Sequence, residues 1–179
     1  MGMAVLRIRT SYRWKFDDLA EFVGVIERVK RGTILHKALS LIERPADADS
    51  VRRAVVKGLL LLGESPSRWD VEGLARCIER VLGCGDARPF FPEDPKVRVY
   101  SEREFLKTPT EVLRPDRVVE YEDRVLVVDF KASRPSSLKL YKSYADQVKK
   151  YVSVVSDFFK RPAEGYLLFI EPPRVERVV

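Results

Sequence analysis

The stretch from Arg114 to Lys131, RPDRVVEYEDRVLVVDFK, sets two runs rich in Val and Leu on either side of Glu122-Asp123. Pro115 has no N–H, so it belongs at a strand start, an edge or a bulge. A first strand is therefore expected at about 116–121. The polar pair Glu122-Asp123 makes a two-residue turn, and residues 124–131 return as a largely buried strand. Side chains of that second strand alternate, with Val125, Val127, Asp129 and Lys131 on one face and Leu126, Val128 and Phe130 on the other. An unpaired charge buried there would cost roughly 2 to 5 kcal/mol. Asp129 and Lys131 must then pair with each other, meet water or hold a metal.

A short hairpin can bring Asp116 towards Asp129. Two carboxylates at close range repel and raise one pKa unless a cation sits between them, and a hard divalent ion with oxygen ligands is the usual solution. Mg2+ or Mn2+ fits best. A lysine beside such an ion can orient the attacking water or help to deprotonate it, and can stabilise charge on a phosphate oxygen.

Upstream of the hairpin the pattern is helical. Asp17 and Asp18 are expected to cap a helix through Val29, and Ile34, Leu35, Ala38, Leu39 and Ile42 recur at three and four residues in a second helix over 32–42. Two more follow over 47–62 and 67–82, punctuated by Gly63, Pro66, Gly83 and Gly85. Residues 86–95 hold three prolines and read as a loop. The period then changes to two, and Val97 and Val99 begin a strand over 96–100 that runs on towards Phe105. Downstream, Ser136 or Ser137 caps a long helix to about Phe159, with Tyr144, Val148, Val152 and Val155 on its core face, and residues 165–170 form another strand. The expected class is α/β, with a helical part (about 16–85) before a sheet-and-helix core (about 96–179).

A chain of 179 residues suits a single domain spanning 1–179. With 45% hydrophobic and 34% charged residues it is a globular composition. The longest apolar run, Gly58–Gly63, is far too short to span a bilayer, and the N-terminus lacks the apolar core of a secretion signal. The expected location is cytoplasmic, with no membrane partner. Cys77 and Cys84 are seven apart in an expected helix, suit no usual metal module and are read as buried thiols. Asn is absent, and there is one Gln and one His. That depletion of thermolabile amides among abundant Glu, Lys and Arg hints at a thermophilic source and makes Gln147 and His36 conspicuous. The net charge of +6 favours a polyanionic partner such as nucleic acid.

Each of these residues has a plainer reading by itself. His36 can be a packed or surface histidine, Asp116 can fix a turn or pair with an arginine, and Asp129 with Lys131 can be a cross-strand ion pair. Gln147 and Tyr151 can be the polar edge of a helix. Lys139, Lys142, Lys149 and Lys150 form either a phosphate track or a solvated face.

In combination and in order, four segments resemble the RecB-type nucleases of the PD-(D/E)xK superfamily, closest to the nuclease domain at the C-terminus of UvrD-like helicase-exonucleases. Gly32-Thr33-Ile34-Leu35-His36 resembles the G-x-x-x-H helix motif, and Arg114-Pro115-Asp116-Arg117 the first acidic motif. Asp129-Phe130-Lys131 resembles the D-x-K motif, and Gln147-Val148-Lys149-Lys150-Tyr151 the Q-x-x-x-Y helix motif. The resemblance covers residues 32–170 and implies a restriction-endonuclease-like core, a central mixed sheet flanked by helices.

The resemblance also implies that His36, Asp116, Asp129 and the backbone carbonyl of Phe130 surround the catalytic metal and that Lys131 is the catalytic lysine. Gln147 and Tyr151 would border the site and touch the DNA backbone or support Lys131. Glu102, with Glu104 as its competitor, matches an additional acidic position. Many relatives carry Gly where Pro115 stands. No iron–sulfur cluster is expected, because the four cysteines that hold one in some relatives are missing. No Gly-Lys-Ser/Thr follows Gly24, Gly32 or Gly58, so any ATP use or unwinding must come from elsewhere.

The expected protein is a Mg2+- or Mn2+-dependent deoxyribonuclease that hydrolyses phosphodiester bonds of single-stranded DNA or DNA ends in repair or recombination. Its expected partners are DNA, a helicase or recombination protein, and a second copy of the chain. The alternative is a non-catalytic DNA-binding or adaptor module of a helicase or recombination complex.

Overall fold

The computed structural model describes residues 16–108 and 111–179. The chain divides into two compact units, Met1–Arg31 and Gly32–Val179. In the first, the described residues form the opening turns of helix α1 (Phe16–Ser40). Asp17 and Asp18, expected to cap a helix, lie inside this one, and Gly32 does not end it. A helix-interior glycine costs about 1 kcal/mol relative to alanine. Here a Cβ on Gly32 would come 3.3 Å from the Cβ of Ala132, so its absence permits close approach to the chain leaving the Asp129 strand.

In the second unit, helices α2 (Ala48–Leu61) and α3 (Val71–Leu82) are capped by Asp47 and Asp70, whose carboxylates accept the N–H of Ser50 and Gly73 at 2.7 and 2.9 Å. The helix expected from Ser67 starts later because Pro66–Arg68 first makes a 3-10 turn. Likewise Gly85–Phe90, expected as loop, is a 3-10 segment. Cys77 is buried in α3, whereas Cys84 lies past its last residue and is only half-buried, so the two do not share a helical face. Among the described residues no helix is long and apolar enough to cross a membrane.

The sheet has five strands in the order β1 (Arg98–Ser101), β4 (Arg117–Glu120), β5 (Val125–Lys131), β6 (Ala163–Phe169), β7 (Arg174–Arg177). Every pairing is antiparallel except β5 with β6. A parallel pair needs a long crossover, which helix α4 (Leu138–Phe159), capped by Ser137, supplies. A separate hairpin of β2 (Phe105–Thr108) and β3 (Glu111–Leu113) stands outside this sheet. The strand expected to continue towards Phe105 stops at Ser101 because Glu102 takes a left-handed backbone, φ +53°. At three or four residues each, β3 and β7 are too short for alternation to reveal them.

The alternation read in β5 holds. Leu126, Val128 and Phe130 pack into the core built from α1, α2 and α3, while Val125 and Val127 pack with Tyr151, Val154 and Val155 of α4. Of the four residues expected on the core face of α4, Val148 and Val155 are fully buried, and Tyr151 and Val154 are more buried than Tyr144 and Val152.

One charged side chain lies wholly inside the helical layer. The guanidinium of Arg117 donates to the carbonyls of Leu39 and Ile42 at 2.7 and 2.6 Å and to that of Phe90 at 3.0 Å, and stacks 4.3 Å from the Phe91 ring. Leu39 sits in the last turn of α1, where carbonyls have no intrahelical partner. Burial lowers the arginine to about 9, still charged at neutral pH. Arg117→Met, similar in bulk but with no donor, takes the side-chain donor from the carbonyls of Ile42 and Phe90 and leaves that of Leu39 only the Ile42 N–H, and is expected to destabilise the protein by about 3 kcal/mol or more. A urea midpoint within error of wild type would show that these bonds contribute nothing.

Candidate active site

The candidate residues come from four parts of the chain. His36 comes from the penultimate turn of α1, Asp116 immediately precedes β4, Asp129 and Lys131 close β5, and Gln147 and Tyr151 face them from α4. Continuing the β4–β5 register, in which Arg117 faces Val128, would set Phe130 opposite Pro115. Proline has no N–H to give, so the ladder supplies no donor to the Phe130 carbonyl on that side. The Phe130 N–H is used differently, donating to Asp116 Oδ2 at 2.6 Å. The His36 ring meets the Phe130 ring edge-on at 5.9 Å, which leaves its Nδ1 3.8 Å from Asp116 Oδ2, beyond hydrogen-bond range.

Asp129 is 3% exposed, and its Oδ2 lies 2.6 Å from Lys131 Nζ. Among the described residues that buried oxygen has no polar partner besides this ammonium. Burial and then the neighbouring Asp116 charge push Asp129 up to about 6, against the pull of Lys131. Burial also raises Asp116, partly offset by the Phe130 amide. His36 is lowered to about 4 by burial and by Lys131, so it is neutral at pH 7 and can offer a ring nitrogen. Lys131 reaches Gln147 Oε1 at 3.4 Å and lies 4.5 Å from the Tyr144 ring, and Gln147 Nε2 donates to the Tyr151 hydroxyl at 2.7 Å.

Of the two glutamates, Glu102 belongs to this cluster and Glu104 is exposed, contributing to none of its shifts. The Glu102 N–H donates to the Asp116 carbonyl at 3.0 Å, and its carboxylate accepts from Lys37 Nζ at 2.6 Å. Sequence reading missed Lys37, Tyr144 and Arg117 as parts of this arrangement. The available signal was adjacency alone, since Lys37 follows His36 and Arg117 follows Asp116.

A buried carboxylate (Asp129), a half-buried one (Asp116), a neutral imidazole and a carbonyl with no ladder donor form an oxygen-rich donor set suited to a hard divalent ion. The raised carboxyls, with Asp129 Oδ2 buried and partnered only by the Lys131 ammonium, fit such an ion. Among the described residues no three His, Cys, Asp or Glu side chains already close around one point.

The family model of the PD-(D/E)XK nuclease superfamily matches residues 8–178. The chain belongs to this superfamily. The mixed five-stranded sheet with flanking helices is the restriction-endonuclease-like architecture expected of it. No curated protein matches the chain. Membership supports a nuclease and makes a divalent metal the expected cofactor class. Within that superfamily's D-x-K segment, Lys131 is the cation that faces both Asp129 and the α4 glutamine.

A carboxylate held at a cost identifies itself in stability. The folded value of Asp129, about 6, lies above the free value of 3.8, so stability falls as pH rises through that window. His36, at about 4 against 6.5, acts oppositely, and stability rises across its window. Asp129→Asn removes the first slope and also withdraws a charge that raises His36, which widens the second. In chelator the variant is expected to be about 1 to 3 kcal/mol more stable than wild type at pH 8, at about 1.4 kcal/mol per unit, and its stability should climb more steeply between pH 4 and 6.5. Urea titrations across pH measure both; equal stability at pH 8 would mean that the native fold holds this charge without strain.

Proposed function

We infer that the whole chain works as one metal-dependent deoxyribonuclease domain of the RecB type, hydrolysing phosphodiester bonds. The observation that carries this reading is the convergence of His36, Asp116, Asp129 and Lys131 from three separate elements, with Gln147 and Tyr151 behind the lysine. The four ordered motifs support the RecB branch. A pure binding module has no physical need to keep two mutually destabilising carboxylates together.

Bound Mg2+ or Mn2+ would be held by the carboxylates of Asp116 and Asp129, the imidazole of His36 and the Phe130 carbonyl, and would supply Lewis-acid activation of water and neutralisation of phosphate charge. In hydrolysis a bond forms between the water oxygen and phosphorus, a P–O(sugar) bond breaks, and the departing oxygen gains a proton. Lys131 is placed to donate hydrogen bonds to the attacking water or a phosphate oxygen once Asp129 no longer holds it. Gln147 limits the range of Lys131 through the 3.4 Å contact and is itself fixed by Tyr151. Lys37 neutralises Glu102, which lessens the negative charge a phosphate would meet.

The substrate class we assign is single-stranded DNA or DNA ends, in repair or recombination alongside a separate helicase. End-labelled single- and double-stranded DNA with Mg2+ or Mn2+ tests the reading. Wild type is expected to cut, and Asp129→Ala and Lys131→Ala are each expected to lower the rate by roughly 100-fold or more. Metal-dependent cutting that survives both substitutions would place the chemistry elsewhere, and an inert wild type that still binds DNA would point to an adaptor module.

A further inference from the structure

We propose that the cleft between α4 and β3 is a one-strand phosphate track leading to Lys131, gripped by Lys139, Lys142 and Lys150. This assignment rests on the nuclease reading for its purpose but stands on its own geometry. The cleft encloses about 690 Å³ and its inner end is formed by Gln147 and Tyr151, the residues behind the candidate catalytic lysine. Lys139, Lys142 and Lys150 line its α4 wall at offsets of three and eleven residues, which is one helical stripe about 16 Å long.

Charge accounting distinguishes this stripe from a solvated face. Two acids also line the cleft, Glu111 and Asp146, but each is held by a cation that does not line it. Glu111 takes Lys107 at 2.8 and 3.0 Å, and Asp146 faces Lys149 at 3.7 Å. The cleft lysines have no ion partner among the described residues and are exposed. Arg114, which does not line the cleft, adds positive charge near Asp116 and Tyr151. Lys149, read from sequence with the other three, is thereby separated from them.

The ligand is a single strand because only one wall is cationic. A duplex presents phosphate rows on both sides of a groove about 6 or 12 Å wide, whereas the facing wall here offers Glu111 and Leu113. Among the described residues no exposed aromatic ring lines the cleft, so recognition runs through phosphates rather than through base stacking and is indifferent to sequence.

The test is fluorescence anisotropy of labelled single-stranded and duplex oligonucleotides in chelator, which separates binding from cutting, from 50 to 200 mM salt. For the K139Q/K142Q/K150Q triple variant the single-strand salt slope should fall by about 2, at about 0.7 per lost phosphate contact, with roughly tenfold weaker binding at the lower salt. Lys149→Gln should leave the slope at its wild-type value. A triple variant with the wild-type slope overturns the track. Duplex bound as tightly as single strand, with the slope lost on both, overturns the one-strand assignment. Cutting assays are read separately: if the chain binds as described yet never cuts, the nuclease reading fails while the track stands.

Discussion

The guanidinium of Arg117 ties the two halves of the site together. Its partners are carbonyls at the end of α1 and in the segment before β1, while its own backbone opens β4. His36 is three residues before one of those carbonyls, and Asp116 is adjacent to the arginine itself. A helix C-terminus has carbonyls that no residue of its own helix can satisfy, and a buried arginine needs acceptors for its donors. Through these bonds the histidine-bearing helix and the aspartate-bearing strand share one anchor. Phe91 and Phe130 enclose the guanidinium at 4.3 and 5.6 Å, and Phe130 is also the residue whose amide holds Asp116.

Around that anchor the fold carries charge it does not need for stability. Asp129 is raised because the core removes its water and because Asp116 lies near it, and Lys131 compensates only in part. His36 is kept neutral by the same burial. Such opposed shifts at one place, each with a named partner, are the arrangement that functional sites use to set protonation states near neutral pH. The left-handed Glu102 belongs to the same picture. It bends the chain out of β1, lends its N–H to Asp116 and commits its carboxylate to Lys37.

The sheet decides where this charge is displayed. β5 is paired on both edges and covered on both faces, so its interior residues are apolar, and polar side chains are tolerated only where it ends. Ligands of open α/β sheets bind outside the carboxyl ends of the strands. The parallel pairing of β5 with β6 requires α4 to cross the sheet, which carries Gln147, Tyr151 and the lysine stripe past that end. Gly165 of β6 lets the helix lie close, since a Cβ there would come 2.5 Å from Val148 Cγ1. The lysine stripe on α4 and the Asp129–Lys131 pair at the end of β5 are thus brought near one another by one crossover.

Local rules of the chain determined much of this protein. Period two in residues 125–131, a proline before Asp116, a capping serine at 136 or 137, and the helical spacing of Gln147 and Tyr151 each report on neighbours a few residues away, and those features were legible without coordinates. The same holds for the superfamily, because its motifs are short and lie in order. Tertiary structure alone decided what depends on residues far apart in sequence. It made Gly32 a point of close approach instead of a helix break, set Arg117 against carbonyls 75 and 78 residues upstream, and chose Glu102 over Glu104 through a lysine 65 residues away. Periodicity encodes which face a residue occupies; it carries no information about which distant group meets that face, because that is set by the packing of whole elements.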